Sequence, residues 1–198
     1  MKELLFDFIT SPFLYLAISI IICLVCWKEK EFIDITGVIK KYIITIFNQG
    51  NKKLMAFLLM LPLLLAQTVN YSCVINYDIL NIITVIISIL TSMLFTFLAL
   101  LNQHKIKEDV DASKKVLLKE ITNETKIIIN YEIFLCVFIL ICCFLAPITF
   151  ALRPWLYFGK VGCISAKTIT SNFIYFLLFH MVLNLLIIVK RYFKIFDN

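Results

Sequence analysis

The stretch Ile79–Leu101, ILNIITVIISILTSMLFTFLALL, runs its whole length without a charge. A helix that crosses a bilayer needs about 20 predominantly apolar residues, so this segment alone has the length and composition of a span. Four further apolar runs flank it, at Phe8–Trp27, Leu54–Val69, Tyr131–Leu152 and Ser171–Val189. The chain of 198 residues is 62% hydrophobic, with a mean hydropathy of +0.96. An ordinary soluble domain is roughly 45–50% apolar, so water is excluded as the main solvent. The polar remainder is too short to bury a core of its own. The expectation is therefore one all-α membrane domain over residues 1–198, a polytopic bundle of four to five spans with a cytoplasmic helical hairpin.

The cations set the expected orientation. Of the 19 Lys and Arg residues, Lys28, Lys30, Lys40, Lys41, Lys52 and Lys53 fill the first connection and none falls in the second. Lys105, Lys107, Lys114, Lys115, Lys119 and Lys126 fill the third, and Lys190, Arg191 and Lys194 the tail. Arg153, Lys160 and Lys167 lie in the fourth. Positive charge concentrates on the cytoplasmic side of membrane proteins, which predicts the N-terminus outside and the C-terminus inside. Interleaved carboxylates such as Glu29, Asp34, Glu108 and Glu120 break up any basic patch, so direct nucleic-acid binding is not expected. The first run lacks an A-x-A-like cleavage site and ends in Cys26-Trp27-Lys28, which predicts a retained helix rather than a signal peptide. Heavy use of Lys, Ile and Asn suggests an AT-rich bacterial genome and hence a bacterial inner membrane.

Two connections read as helices. Ile35, Ile39, Tyr42, Ile43 and Ile46 recur at helical spacing with Lys40 and Lys41 off that face, the pattern of a helix lying in the inner interface. A helix facing the core is the alternative. In Asn102–Asn130, Val110, Leu117, Leu118, Ile121 and Ile128 form one stripe among charged faces. The third and fourth spans would then project into the cytoplasm, and Lys105, Lys107, Val110, Lys114, Leu117, Leu118 and Ile121 would offer a docking surface to a protein partner. Packing within the chain or between copies competes equally for that stripe.

Inside the spans the clearest pattern is a ladder of small polar residues. Thr84, Ser88, Ser92 and Thr96 recur every four residues, and Asn172, His180 and Asn184 share a face of the last span. Small residues and hydroxyls favour close helix contact in lipid, at about 0.6–2 kcal/mol per interhelical bond. The two stripes are thus expected at helix or oligomer interfaces, with a pore lining as the sharper alternative. His180 is the only intramembrane histidine, and Glu132 is placed at a span edge, so a relay or metal site lacks a second member. A neutral histidine bonded to a neighbouring helix is expected. Cys23 and Cys26 lack a second pair or a nearby histidine, and Cys136, Cys142 and Cys143 read as helix-facing or lipid-facing. Cys73 and Cys163 fall on the expected outer side, where an oxidising exterior permits a disulfide between them. No phosphate loop, His-Glu-x-x-His or Gly-x-Ser-x-Gly motif occurs, and neither an enzymatic activity nor a cofactor is expected.

The run Ser88-Ile89-Leu90-Thr91-Ser92-Met93-Leu94-Phe95-Thr96, the charged segment after it and Tyr131-Glu132-Ile133 resemble the KwaA family, membrane subunits of the Kiwa antiphage defence system. The resemblance covers about the middle third of the chain. It implies an inner-membrane oligomer, taken as a tetramer, with four spans. It further implies a sensor of phage attack at the envelope that engages a cytoplasmic DNA-binding partner of the KwaB kind. A pore-forming effector that depolarises the cell is the rival function.

Overall fold

The computed structural model describes residues 35–48, 52–103, 112–151 and 166–196. The chain divides into two units, Met1–Val38 and Ile39–Asn198, and every contact below lies within the second. Among the described residues all regular structure is helical: α1 (Ile35–Asn48), α2 (Lys52–Ser72), α3 (Tyr77–Gln103), α4 (Ala112–Ala151) and α5 (Ala166–Phe196). The first apolar run, Phe8–Trp27, lies outside the described residues.

Three helices, α3, α4 and α5, are long and apolar enough to cross a membrane. The apolar part of α2, Ala56–Ser72, falls short of that length. Large apolar side chains cover the outside of the bundle, with Phe144 74%, Leu64 66% and Leu186 62% exposed. A soluble monomer rarely carries contiguous patches of this kind, whereas lipid solvates them at no cost.

α5 stands between α2 and α4, and α4 in turn packs on α3. Side-chain pairs fix the directions. Glu124 meets Arg191, Glu132 meets Asn184 and Cys136 meets Met181, so α4 and α5 run antiparallel. Leu58 meets His180 and Gln67 meets Asn172, so α2 and α5 do too. α4 explains its own packing. Leu118 is buried and, starting seven residues on, Thr125, Ile128, Glu132, Leu135, Ile139, Cys143 and Ala146 are buried at steps of three or four, a stripe that follows one helix face.

The sequence boundaries shift in one instructive way. The described part of the expected fourth span Tyr131–Leu152, residues 131–151, is the C-terminal half of a single 40-residue helix. At 1.5 Å per residue α4 is about 60 Å long, twice the roughly 30 Å hydrocarbon core. α3 ends at Gln103, so of the two helices α4 alone carries on well beyond its apolar run among the described residues, and α5 continues from Val189 to Phe196. α3 starts cleanly because the Asn76 side chain accepts the Ile79 N–H at 2.9 Å, an N-cap on a first turn that also carries Asp78.

α1 corrects the interfacial reading. Tyr42, Thr45 and Ile46 are buried against the bundle, while Ile43 and Ile44 are exposed, so the helix faces the core through a narrower stripe than the sequence suggested. Pro62 does not break α2. It does remove one backbone donor, and that has a consequence for the site.

A buried polar cluster as the candidate functional site

A proline in a helix has no N–H for the carbonyl four residues back. Pro62 therefore frees the Leu58 carbonyl, a group that is expensive to leave unpaired away from water. His180 of α5 supplies the partner, with Nδ1 3.1 Å from the Leu58 oxygen. A carbonyl only accepts, so Nδ1 holds a proton and Nε2 is left to accept. Two donors converge there: the Tyr131 hydroxyl at 3.1 Å and the Asn184 amide at 3.2 Å.

Asn184 is the hub. Its Nδ2 also donates to Glu132 Oε1 at 2.6 Å, and its Oδ1 accepts from the Tyr42 hydroxyl at 2.8 Å. One amide thus ties α1, α4 and α5 together, and the histidine adds α2. The rings reinforce this. Tyr42 stacks on Tyr131 with centroids 3.7 Å apart and planes 11° apart. Both tyrosines meet the His180 ring edge-on, and Phe176 stacks on it at 6.2 Å. Burial pushes the Tyr42 phenol above its ordinary value, with the neighbouring Tyr131 adding to the effect, so its proton stays available for the bond to Asn184.

Glu132, the second residue of the apolar run that begins at Tyr131, faces the bundle interior. It is fully buried, and Oε2 has no hydrogen-bond partner among the described residues. A carboxyl inside a transmembrane bundle is costly, and residues of this kind mark functional sites. The intramembrane histidine therefore does have an ionisable neighbour, reached through Asn184. Cys136, one turn further along α4, contacts Met181 Sδ at 3.6 Å. The thiol is therefore turned into the α4–α5 interface. Among the described residues no three His, Cys, Asp or Glu side chains are grouped to hold a metal ion.

A second polar group lies at the other end of α5. Ser171 Oγ accepts the Ile75 N–H at 3.2 Å, and the Tyr175 hydroxyl donates to the Cys73 carbonyl at 3.0 Å. Asn70 donates to the Thr168 carbonyl at 3.1 Å, and Asn172 to Gln67 Oε1 at 3.0 Å. These bonds pin the Cys73–Asn76 connection over the start of α5. Lys167 lies over the Phe150 ring at 5.3 Å.

The structure separates residues that the sequence grouped. Asn172, His180 and Asn184 all bond to neighbouring helices, and His180 does so in the expected manner. The hydroxyls of Thr84, Ser88, Ser92 and Thr96 each donate to the carbonyl four residues back on α3 itself. Ser88, Ser92 and Thr96 are exposed, and α3 packs mainly on α4, meeting α5 through the Phe97 and Tyr192 rings. The two stripes therefore do not pack on each other within the chain. Of the expected docking residues, Lys114 and Leu117 are exposed, Ile121 is half-buried and Leu118 is buried. The packed part of that stripe has an intramolecular partner. Lys105, Lys107 and Val110 lie outside the described residues, as does Cys163 and with it the pairing to Cys73.

The sequence missed Glu132 and the two tyrosines as site residues. The three-and-four spacing that joins Leu118 to Ile139 passes through Glu132 and was the available signal. No protein-family model, curated protein or solved structure matches this chain.

Proposed function

We propose that this protein is a non-enzymatic membrane scaffold that couples a lipid-embedded helical bundle to a cytoplasmic protein partner. The observation that supports it is α4. One unbroken helix carries Tyr131 and Glu132 in the buried cluster and, toward its N-terminus, the exposed Lys114, Lys115, Val116 and Leu117. A change in the cluster and a change at that end are thus mechanically linked through a rigid rod. The Glu124–Arg191 ion pair, 2.8 Å long, braces the rod between them. With the N-terminus outside, the exposed end of α4 lies in the cytoplasm. The KwaA-like resemblance supplies a setting, in which this chain senses phage attack at a bacterial inner membrane as an oligomer, a tetramer on that resemblance, and controls a KwaB-like effector. The outward ladder of Ser88, Ser92 and Thr96 is the face for contact between copies.

Purification in mild detergent, with mass measurement and identification of co-eluting proteins, tests this. A cytoplasmic protein should co-elute, and Leu117→Glu should release it without changing the mass of the membrane complex. Ser88→Leu with Ser92→Leu should lower that mass. Loss of membrane potential on expression of this chain alone would instead favour the pore.

A further inference from the structure

Between α1 and α2 lies a cavity of about 270 Å³, walled by Ile39, Ile43 and Ile46 on one side and Leu58 and Leu59 on the other. Its floor is formed by the rings of Tyr42, Tyr131 and His180. The polar atoms of that floor are already engaged with one another, with Asn184 and with the Leu58 carbonyl. An occupant therefore meets hydrocarbon walls and no free donor or acceptor. Water is a poor occupant of such a space. The volume falls just below the range of ligand sites, roughly 300–1,000 Å³, and suits one flexible chain better than a bulky cofactor.

The surroundings say what kind of chain. Ile43 and Leu59 line the cavity and are also exposed on the bundle surface, so the space is continuous with the lipid-facing exterior. Lys40 and Lys41 are exposed on α1 off the face that lines the cavity, with Lys40 one turn from the exposed lining residue Ile43 and long stems to reach round the helix. Among the described residues neither is paired with a carboxylate. Lysines at a helix junction on the cytoplasmic side attract anionic headgroups.

We infer that the space between α1 and α2 is a binding site for an anionic phospholipid, one acyl chain in the cavity and its phosphate at Lys40 and Lys41. The acyl chain lies against Tyr42, the α1 residue that bonds to Asn184. Lipid occupancy then favours the arrangement in which α1 is docked on the buried cluster.

Native mass spectrometry of the full-length chain in detergent tests this, with phosphatidylglycerol and phosphatidylcholine added in turn. The wild-type chain should retain one phosphatidylglycerol about tenfold better than phosphatidylcholine, as expected for lysines beside an anionic headgroup. Lys40→Ala with Lys41→Ala should abolish that preference while leaving weak binding of both lipids. Ile43→Trp, or Leu59→Trp approaching from the opposite wall, should abolish retention of both, with helix content by circular dichroism unchanged. Equal retention of the two lipids by the wild-type chain overturns the proposal. So does undiminished retention by a folded tryptophan variant. A bound second copy or protein in place of lipid would also overturn it.

Discussion

The two ends of α5 are both polar, and they are built differently. At the Ser171 end, side chains mostly hold backbone: Ser171 takes the Ile75 N–H, Tyr175 the Cys73 carbonyl and Asn70 the Thr168 carbonyl. Each bond stands alone and pins one point of a short connection. At the Asn184 end, side chains bond to side chains, and Tyr42, Glu132 and His180 all meet at one amide. The first arrangement is a set of independent clasps. The second is a network, in which loss of one member strands the others.

The sharpest way to break this contrast is Asn184→Leu. It strands the Tyr42 hydroxyl and Glu132 Oε1 in a buried site, and each buried orphan costs about 1–3 kcal/mol. A loss of about 3 kcal/mol is expected in detergent-titrated unfolding followed by circular dichroism. A loss below about 1 kcal/mol would make the network an ornament of the packing.

Glu132 offers a finer probe of the same end. Glu132→Gln keeps an acceptor for Asn184 and should cost under about 1 kcal/mol, while Glu132→Leu removes it and should cost about 2 kcal/mol. Equal effects of the two would show that carboxyl shape, not acceptance from Asn184, is what the site needs.

At the clasp end, Ser171→Ala leaves one backbone N–H unpaired and should cost about 1 kcal/mol. It should add independently to the Asn184→Leu effect, because the two sites share no partner. Strong non-additivity would erase the distinction between the ends. The smallest effect belongs to Arg191→Ala. Its side chain and that of Glu124 keep 14% and 25% exposure, and pairs of that kind contribute about 0–1 kcal/mol, less at high salt.

The apolar runs made the helices legible, because length and lack of charge are local properties. α3 runs two residues beyond the expected span at each end. The reach of α4 was legible in the helical stripe of Leu117, Leu118, Ile121 and Ile128 rather than in hydropathy, whose window stops at Tyr131 while the backbone continues back to Ala112. The serine–threonine ladder does not pair with the α5 stripe within the chain, for a physical reason. A four-residue period places hydroxyls on one face, and it equally lets each bond to its own helix, which is what α3 does. Asn184, His180 and Glu132 stood in the sequence as separate signals on two helices. Only the antiparallel register of α4 and α5 brings them together, and no period within either segment encodes that register. Pro62 stands in the middle of a short apolar run. Its role in freeing the Leu58 carbonyl became apparent only once His180 was seen beside it.

Cysteine accessibility in α4 tests most directly that lipid solvates this bundle and that α4 leaves the bilayer on the cytoplasmic side. With Lys115→Cys and Phe144→Cys placed separately in a background of native cysteines changed to serine, a membrane-impermeant maleimide should leave both unlabelled in intact cells. In inside-out vesicles it should label Lys115→Cys and still spare Phe144→Cys. Labelling of Lys115→Cys from outside intact cells would invert the orientation, and labelling of Phe144→Cys in either preparation would place that face of α4 in water.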